Sequence, residues 1–171
     1  MRYYSTQKQS STVSLKEAVV KGLAPDRGLY MPETIGQLPT SFYKEISGMN
    51  LTTIAQTVAR KFFGEDIPQD ELDTIVADTL SFAIPLRKVE ENIWVLELFH
   101  GPTFAFKDVG ARFMARMLSH FVKKEQEEVK VLVATSGDTG SAVANGFLGV
   151  EGIRVFVLYP SGKVSDIQEA Q

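Results

Sequence analysis

Lys107 is the side chain whose surroundings most suggest chemistry. It follows a turn at His100-Gly101-Pro102, and the apolar spacing downstream predicts a helix that begins near Phe106. The positive end of the helix dipole disfavours a cation, and Phe104 and Phe106 would shield the amine from water. Both effects favour the neutral, nucleophilic amine, which suits Schiff-base chemistry. The alternative is an ordinary solvated lysine beside Asp108.

A second polar segment, Thr135-Ser136-Gly137-Asp138-Thr139-Gly140, lies between a predicted strand and a predicted helix. Backbone amides and the helix dipole converge at such a loop, so it is expected to bind an anion. Its spacing matches neither the Walker A pattern nor the dinucleotide-binding pattern. The motif Asp138-Thr139-Gly140-Ser141 also occurs in aspartic proteases, but the α/β context and the absence of a second copy in the sequence exclude that chemistry. The alternative is a plain glycine turn capped by Thr139.

The next predicted strand also ends in polar residues, among them Ser161 and Lys163. The carboxyl ends of parallel strands lie at one edge of a sheet, so both are expected at the same edge as Lys107 and the preceding loop. Lys163 would be a ligand for an anionic group there, or a lysine of a surface turn.

The elements that position these residues divide the chain near residue 90. Residues 1–90 are predicted to form a mostly helical domain, because capping signals and i, i+4 apolar spacing recur there. One helix is predicted from about Leu51 to Phe63. Residues 91–171 are predicted to form an incomplete parallel β-α-β-α-β sheet domain, so the fold class is α/β. The predicted strands are Ile93–Leu98, Val129–Ala134 and Ile153–Tyr159. The large apolar side chains of Trp94, Met114 and Met117 are assigned to the core.

Composition narrows the function classes. The chain has 171 residues, with 44% hydrophobic residues and a formal net charge of -3, which is typical of a globular domain and argues against a nucleic-acid partner. It has no cysteine and two histidines, so disulfides, zinc-cysteine sites and multi-histidine metal sites are not expected. No run of about 18 apolar residues indicates a membrane helix. We therefore expect a cytoplasmic protein with no membrane partner.

Four ordered motifs resemble the threonine synthase family. They are Glu97–Asp108 (ELFHGPTFAFKD), Ala134–Gly140 (ATSGDTG), Leu158–Ser165 (LYPSGKVS) and Gly22–Pro32 (GLAPDRGLYMP). The lysine and loop motifs are similar to the wider group of fold-type II pyridoxal-phosphate enzymes, and the amino-terminal motif narrows the resemblance to threonine synthase.

The resemblance implies conversion of O-phospho-L-homoserine and water to L-threonine and phosphate with pyridoxal 5'-phosphate, a reaction with a small-molecule substrate and no metal. It implies that Lys107 holds the cofactor and moves protons, with Phe106 and Asp138 also at the cofactor. The residues implied for the substrate are Thr135, Ser136, Gly137 and Thr139 for its carboxylate, and Ser161, Lys163 and Arg112 for its phosphate.

The carboxyl-terminal pattern predicts a chain that is cut. A capping box at Ser165-Asp166-Ile167-Gln168 predicts the start of a helix, yet the sequence stops at Gln171. We therefore expect this chain to be inactive alone. Two alternatives stay open: another pyridoxal-phosphate lyase or dehydratase, and a non-catalytic module that binds a phosphoamino acid.

Overall fold

The computed structural model describes residues 1–123, 128–135 and 137–170, which fall into two units, Met1–Asp78 and Thr79–Gln171. No helix of the described ranges is long and apolar enough to cross a membrane. The elements of the first unit are β1 (Tyr3–Ser5), α1 (Leu15–Lys21), β2 (Tyr30–Pro32), α2 (Thr40–Glu45), α3 (Leu51–Phe63) and α4 (Gln69–Thr79), with a 3₁₀ turn at Ile46–Gly48 after α2. The last residue of α4, Thr79, already belongs to the second unit.

Local capping explains where the helices of the first unit begin and end. The Ser14 hydroxyl accepts the Glu17 N–H at 3.2 Å, and Gly22 closes α1 with a φ of 70°. Asn50 caps α3 in the same way, accepting the Thr53 N–H at 2.8 Å. The predicted bounds of α3, Leu51 and Phe63, are confirmed. The sequence analysis missed α2, which is short and buries only Phe42.

The aspartate at position 26 organises the amino-terminal turn of this unit. Its carboxylate accepts the Ser5 hydroxyl at 2.6 Å and the N–H groups of Gln9 and Gly28, both at 3.0 Å. Ser5 is fully buried. The hydrogen bond from Ser5, followed by the backbone donors, lowers the pKa of Asp26 to about 2. The ionised carboxylate therefore holds β1 against the turn that precedes β2.

The second unit carries the predicted α/β fold. Its elements are β3 (Leu86–Glu90), β4 (Ile93–Leu96), α5 (Lys107–Val122), β5 (Val129–Ala134), α6 (Asp138–Phe147), β6 (Ile153–Leu158) and α7 (Asp166–Ala170). β5 and β6 pair in parallel, with Val129 opposite Ile153 and Ala134 opposite Leu158. The predicted bounds of β5 are thus confirmed, and the carboxyl ends of the two strands lie side by side.

The first strand of the expected β-α-β-α-β sheet is placed elsewhere. β4 does not join β5 and β6 in the described sheet; it pairs antiparallel with β3, a strand that the sequence analysis missed. The reason lies in the connection, because only Glu91 and Asn92 separate the strands, and Asn92 has a φ of 65°. A two-residue turn with a left-handed residue favours an antiparallel hairpin.

Side-chain exposure corrects two further expectations. Trp94 is 54% exposed on the hairpin and Met114 is also exposed, whereas Met117 is buried as predicted. Residues of β5 and β6 alternate between half-buried and exposed, so the strands are not covered on both faces, and Leu132 is 68% exposed. An apolar run therefore indicated a strand without indicating how many of its faces are covered.

The shifted pKa of Asp26 gives the first unit a defined acid dependence. In the unfolded chain this carboxyl titrates near its ordinary value of about 3.9. Because its folded pKa is lower, its contribution to stability is present above pH 4 and is lost as the pH falls toward 2. We expect Asp26→Asn to lower the urea midpoint at pH 6, with the difference from the parent chain shrinking between pH 4 and pH 2.

Urea unfolding monitored by circular dichroism at several pH values measures this difference. Glu33→Gln, at an exposed carboxylate directly after β2, is the control and should shift the midpoint much less. A penalty for Asp26→Asn that is equally large at pH 6 and pH 2 would contradict the assignment.

Candidate functional site

The turn before α5 places Lys107 at the first residue of a helix, as predicted. Its side chain is half-buried, and Nζ lies 4.5 Å from the centroid of the Phe106 ring. Phe106 is itself 62% exposed, so the ring covers the amine from one side and leaves a path to solvent. An amine in this position is held by the protein and still accessible to a small molecule.

The neighbouring carboxylate does not serve as a partner for the lysine. Asp108 is 1% exposed and turns back into the preceding loop. Its Oδ2 accepts the Thr103 N–H at 2.9 Å, and its Oδ1 accepts the Thr103 hydroxyl at 2.6 Å. A buried carboxylate is stabilised when both oxygens accept hydrogen bonds, and Asp108 also lies in the first turn of α5, where the dipole favours a negative charge. Asp108 is therefore engaged by Thr103 and does not balance the charge of Lys107.

Two features of the turn follow from that buried carboxylate. A Cβ built on Gly101 would lie 2.8 Å from Asp108 Cβ and would overlap the carboxylate, so only glycine fits. Phe104 has a φ of 60°, which is unfavourable for a bulky residue, and its side chain is 74% exposed. Strain of this kind persists only where neighbouring interactions fix the backbone, and it is common at functional sites.

Close packing of α5 against α6 brings their amino-terminal ends to the same side. Ala105, Ala111 and Ala142 form one buried cluster, and a Cβ on Gly146 would lie 3.0 Å from the Ala111 carbonyl carbon. Ala105 lies two residues before α5 and shares the cluster with Ala142, in the middle of α6. The approach of Ala111 to Gly146 lies further along both helices, so we infer that the helices run in the same direction. Lys107 and the start of α6 therefore face the same end of the unit.

The loop before α6 is organised by one hydroxyl group. Thr135 Oγ1 accepts the N–H groups of Gly137 at 3.1 Å and Gly140 at 3.3 Å, and it donates to the Gly137 carbonyl at 3.1 Å. The Thr135 hydroxyl thus fixes the loop, and its predicted contact with a ligand stays a prediction. Thr139 lies half-buried in the first turn of α6. The remaining predicted member, Ser136, lies outside the described residues.

Asp138 is the exposed first residue of α6. Its Oδ1 accepts a hydrogen bond from Gln168 Nε2 at 3.0 Å. Gln168 belongs to α7, and nothing in the sequence linked this helix to the loop, because the two residues are 30 positions apart. Beside the loop is a cavity of about 140 Å³, whose lining includes Thr135, Ser141, Val157, Tyr159 and Gln168.

The turn after β6 lies next to this loop, because the Thr135 N–H donates to the Leu158 carbonyl at 2.9 Å. Ser161 and Lys163 are both exposed in that turn, where the Lys163 N–H donates to the Pro160 carbonyl at 3.1 Å. The prediction that these residues share an edge with the loop thus agrees with the strand register. Their role as ligands stays a prediction.

Arg112 is held within its own part of the second unit. Its guanidinium donates to the Thr79 carbonyl at 3.3 Å and to the Ser81 hydroxyl at 2.8 Å, and it lies 6.0 Å from the centroid of the Phe82 ring. These contacts give Arg112 a structural function between α5 and the segment before β3. Its predicted contact with a phosphate is not tested by this arrangement.

The sequence of this chain is similar to threonine synthases over nearly its whole length. A family model for the threonine synthase N terminus matches residues 2–80. The chain is 44% identical over 169 residues to the threonine synthase of Haemophilus influenzae and 40% identical over 169 residues to that of Escherichia coli. Both alignments cover 99% of this chain and 39% of the relative. The chain thus spans about 39% of the length of these curated relatives.

Solved structures agree with the sequence matches. A threonine synthase structure from Brucella melitensis, described as PLP bound, has a TM-score of 0.92 and 35% identity and covers 98% of this chain. The yeast threonine synthase structure has a TM-score of 0.90 and 37% identity, also over 98% of this chain. This chain covers 37% of each of those chains. The family resemblance and the α/β fold class predicted from the sequence are confirmed.

The contact between Gly101 and Asp108 generates a test of how the lysine is positioned. We expect Gly101→Ala to destabilise the second unit by about 2–3 kcal/mol, because the added methyl group displaces a buried, hydrogen-bonded carboxylate. Gly110→Ala is the matched control in α5, where a Cβ meets nothing within 4 Å. It should stabilise the helix by about 0.5–1 kcal/mol. Urea unfolding gives both values, and a tolerated Gly101→Ala would overturn the account of this turn.

Proposed function

Because the chain belongs to the threonine synthase family and matches its amino-terminal part, we propose that it supplies the cofactor lysine and the substrate loop of a threonine synthase. The proposed reaction converts O-phospho-L-homoserine and water to L-threonine and phosphate. The observation that carries the proposal is the close packing of α5 against α6, because Lys107 is the first residue of one helix and the loop directly precedes the other. Activity is proposed for the full-length enzyme, because this chain spans 39% of the length of its curated relative.

The residues at this end suit pyridoxal phosphate. A primary amine, Lys107, begins a helix and lies against the ring of Phe106, so it is available to an aldehyde and partly shielded from water. When bound, the cofactor supplies an electron sink for the negative charge that develops beside the substrate carboxylate. Lys107 would hold the cofactor covalently, and Phe106 and Asp138 would contact it.

Lys107 is also proposed to carry protons. When its amino group is not holding the cofactor, Lys107 would accept a proton from one substrate carbon and return it to another. The buried carboxylate of Asp108 fixes the backbone from which Lys107 projects, so the amine returns to the same place in each cycle.

The loop would bind the substrate carboxylate. The Thr135 hydroxyl accepts the N–H groups of Gly137 and Gly140, so the loop backbone is fixed before a substrate binds. Less conformational entropy is then lost on binding. Gly137, Thr139 and Ser136 are the proposed donors beside Thr135. Ser161 and Lys163, in the exposed turn after β6, are proposed to bind the substrate phosphate, with Lys163 supplying positive charge. Arg112 is proposed as a third contact for the same phosphate.

Two finer assignments belong to the proposal. The cofactor domain is of fold-type II, an assignment that rests on the motifs around Lys107 and the loop. The enzyme acts in the cytoplasm, as expected from the sequence.

Selective modification of Lys107 tests the proposal without requiring turnover. The chain is incubated with pyridoxal phosphate, the resulting carbon–nitrogen double bond is reduced with borohydride, and the labelled lysine is identified by intact mass and peptide mapping. We expect one major adduct, at Lys107. Lys107→Arg should abolish it, whereas Lys123→Arg, at an exposed lysine just beyond α5, should leave it unchanged. Labelling spread over the surface lysines, and equal in both variants, would contradict the proposal.

A further inference from the structure

The amide of Gln168 lies between the cap of its own helix and the proposed substrate loop. Gln168 Oε1 accepts the Ser165 N–H at 3.3 Å and the Ser165 hydroxyl at 3.2 Å, while the Ser165 hydroxyl accepts the Gln168 N–H at 3.3 Å. This is a reciprocal capping box. Because the oxygen end of the amide is held by Ser165, the nitrogen end must point away from the cap.

The nitrogen end of that amide meets the loop before α6. Gln168 Nε2 donates to Asp138 Oδ1 at 3.0 Å, and a Cβ built on Gly137 would lie 3.1 Å from the same nitrogen. A second contact fixes α7 nearby, since the Tyr159 hydroxyl donates to Glu169 Oε1 at 2.8 Å. The hydrogen bond to Glu169 raises the pKa of Tyr159, so this hydroxyl remains protonated and a donor at neutral pH.

The residue type at position 168 distinguishes two functions. A capping box works equally well with glutamate or glutamine, because either side chain offers an oxygen to the cap. Only glutamine also offers an N–H to a carboxylate. Capping therefore does not require glutamine at this position, whereas the contact with Asp138 does.

We propose that Gln168 is a positioning residue that fixes the Asp138 carboxylate and the adjoining Gly137 in the substrate loop. With Oδ1 engaged by Gln168, the orientation of the Asp138 carboxylate is set before any ligand binds. The inference rests on the proposed function, in which Asp138 contacts the cofactor, and it adds a residue that contacts neither cofactor nor substrate. The capping box of α7 thus stabilises its own helix and also orders the loop.

Amide hydrogen exchange of the whole chain, measured by nuclear magnetic resonance, tests the proposal without cofactor or substrate. The Gly140 N–H reports on the loop, because it donates to Gly137 and Thr135. The Glu169 N–H reports on α7, because it donates to the Ser165 carbonyl at 3.0 Å. Gln168→Glu keeps the cap but places a carboxylate against Asp138, so we expect Gly140 to exchange about fivefold faster while Glu169 is unchanged.

A reversed pair separates positioning from a general effect on α7. Gln168→Glu combined with Asp138→Asn exchanges donor and acceptor, so the hydrogen bond is restored and Gly140 exchange should return to the parent rate. Ile167→Glu adds the same charge at a neighbouring exposed position and should leave Gly140 unchanged. The proposal is overturned if Gln168→Glu has no effect on Gly140, or if the combined variant fails to restore it. Labelling of Lys107 is read separately, so failure of the proposed function would be recognised independently.

Discussion

The buried carboxylate of Asp108 is the constraint on which the site depends. Removing a charge from water is costly unless its oxygens are satisfied, and here Thr103 satisfies both with its backbone and its hydroxyl. These hydrogen bonds require a tight turn, in which Gly101 has no room for a side chain and Phe104 adopts the left-handed region. Because the turn is fixed, α5 begins at a defined residue, Lys107.

Small residues extend this constraint to the neighbouring helix. Alanines and a glycine at the contact between α5 and α6 allow close approach, so the direction of one helix determines that of the other. The parallel register of β5 and β6 then sets the loop before α6 beside the turn after β6. The positions of Lys107, the loop before α6 and the turn after β6 thus depend on the packing of small apolar residues and on strand pairing.

Local signals in the sequence predicted much of this arrangement. The bounds of α3 and β5 were predicted correctly because caps and apolar runs act over a few residues. The pairing of β4 was predicted wrongly because strand partners are chosen by connection geometry, and the turn at Asn92 was overlooked. The inward orientation of Asp108 and the contact of Gln168 with Asp138 could not be predicted, because each depends on tertiary packing that spacing does not encode.

The central proposal is that Lys107 and the loop before α6 contribute to one cofactor site. Its most direct test is a nuclear Overhauser measurement on the chain after borohydride reduction with pyridoxal phosphate. The account predicts cross-peaks between the pyridoxyl ring protons on Lys107 and the amide protons of Gly137 and Gly140. An adduct on Lys107 whose ring shows cross-peaks only to residues remote from this loop would contradict the account.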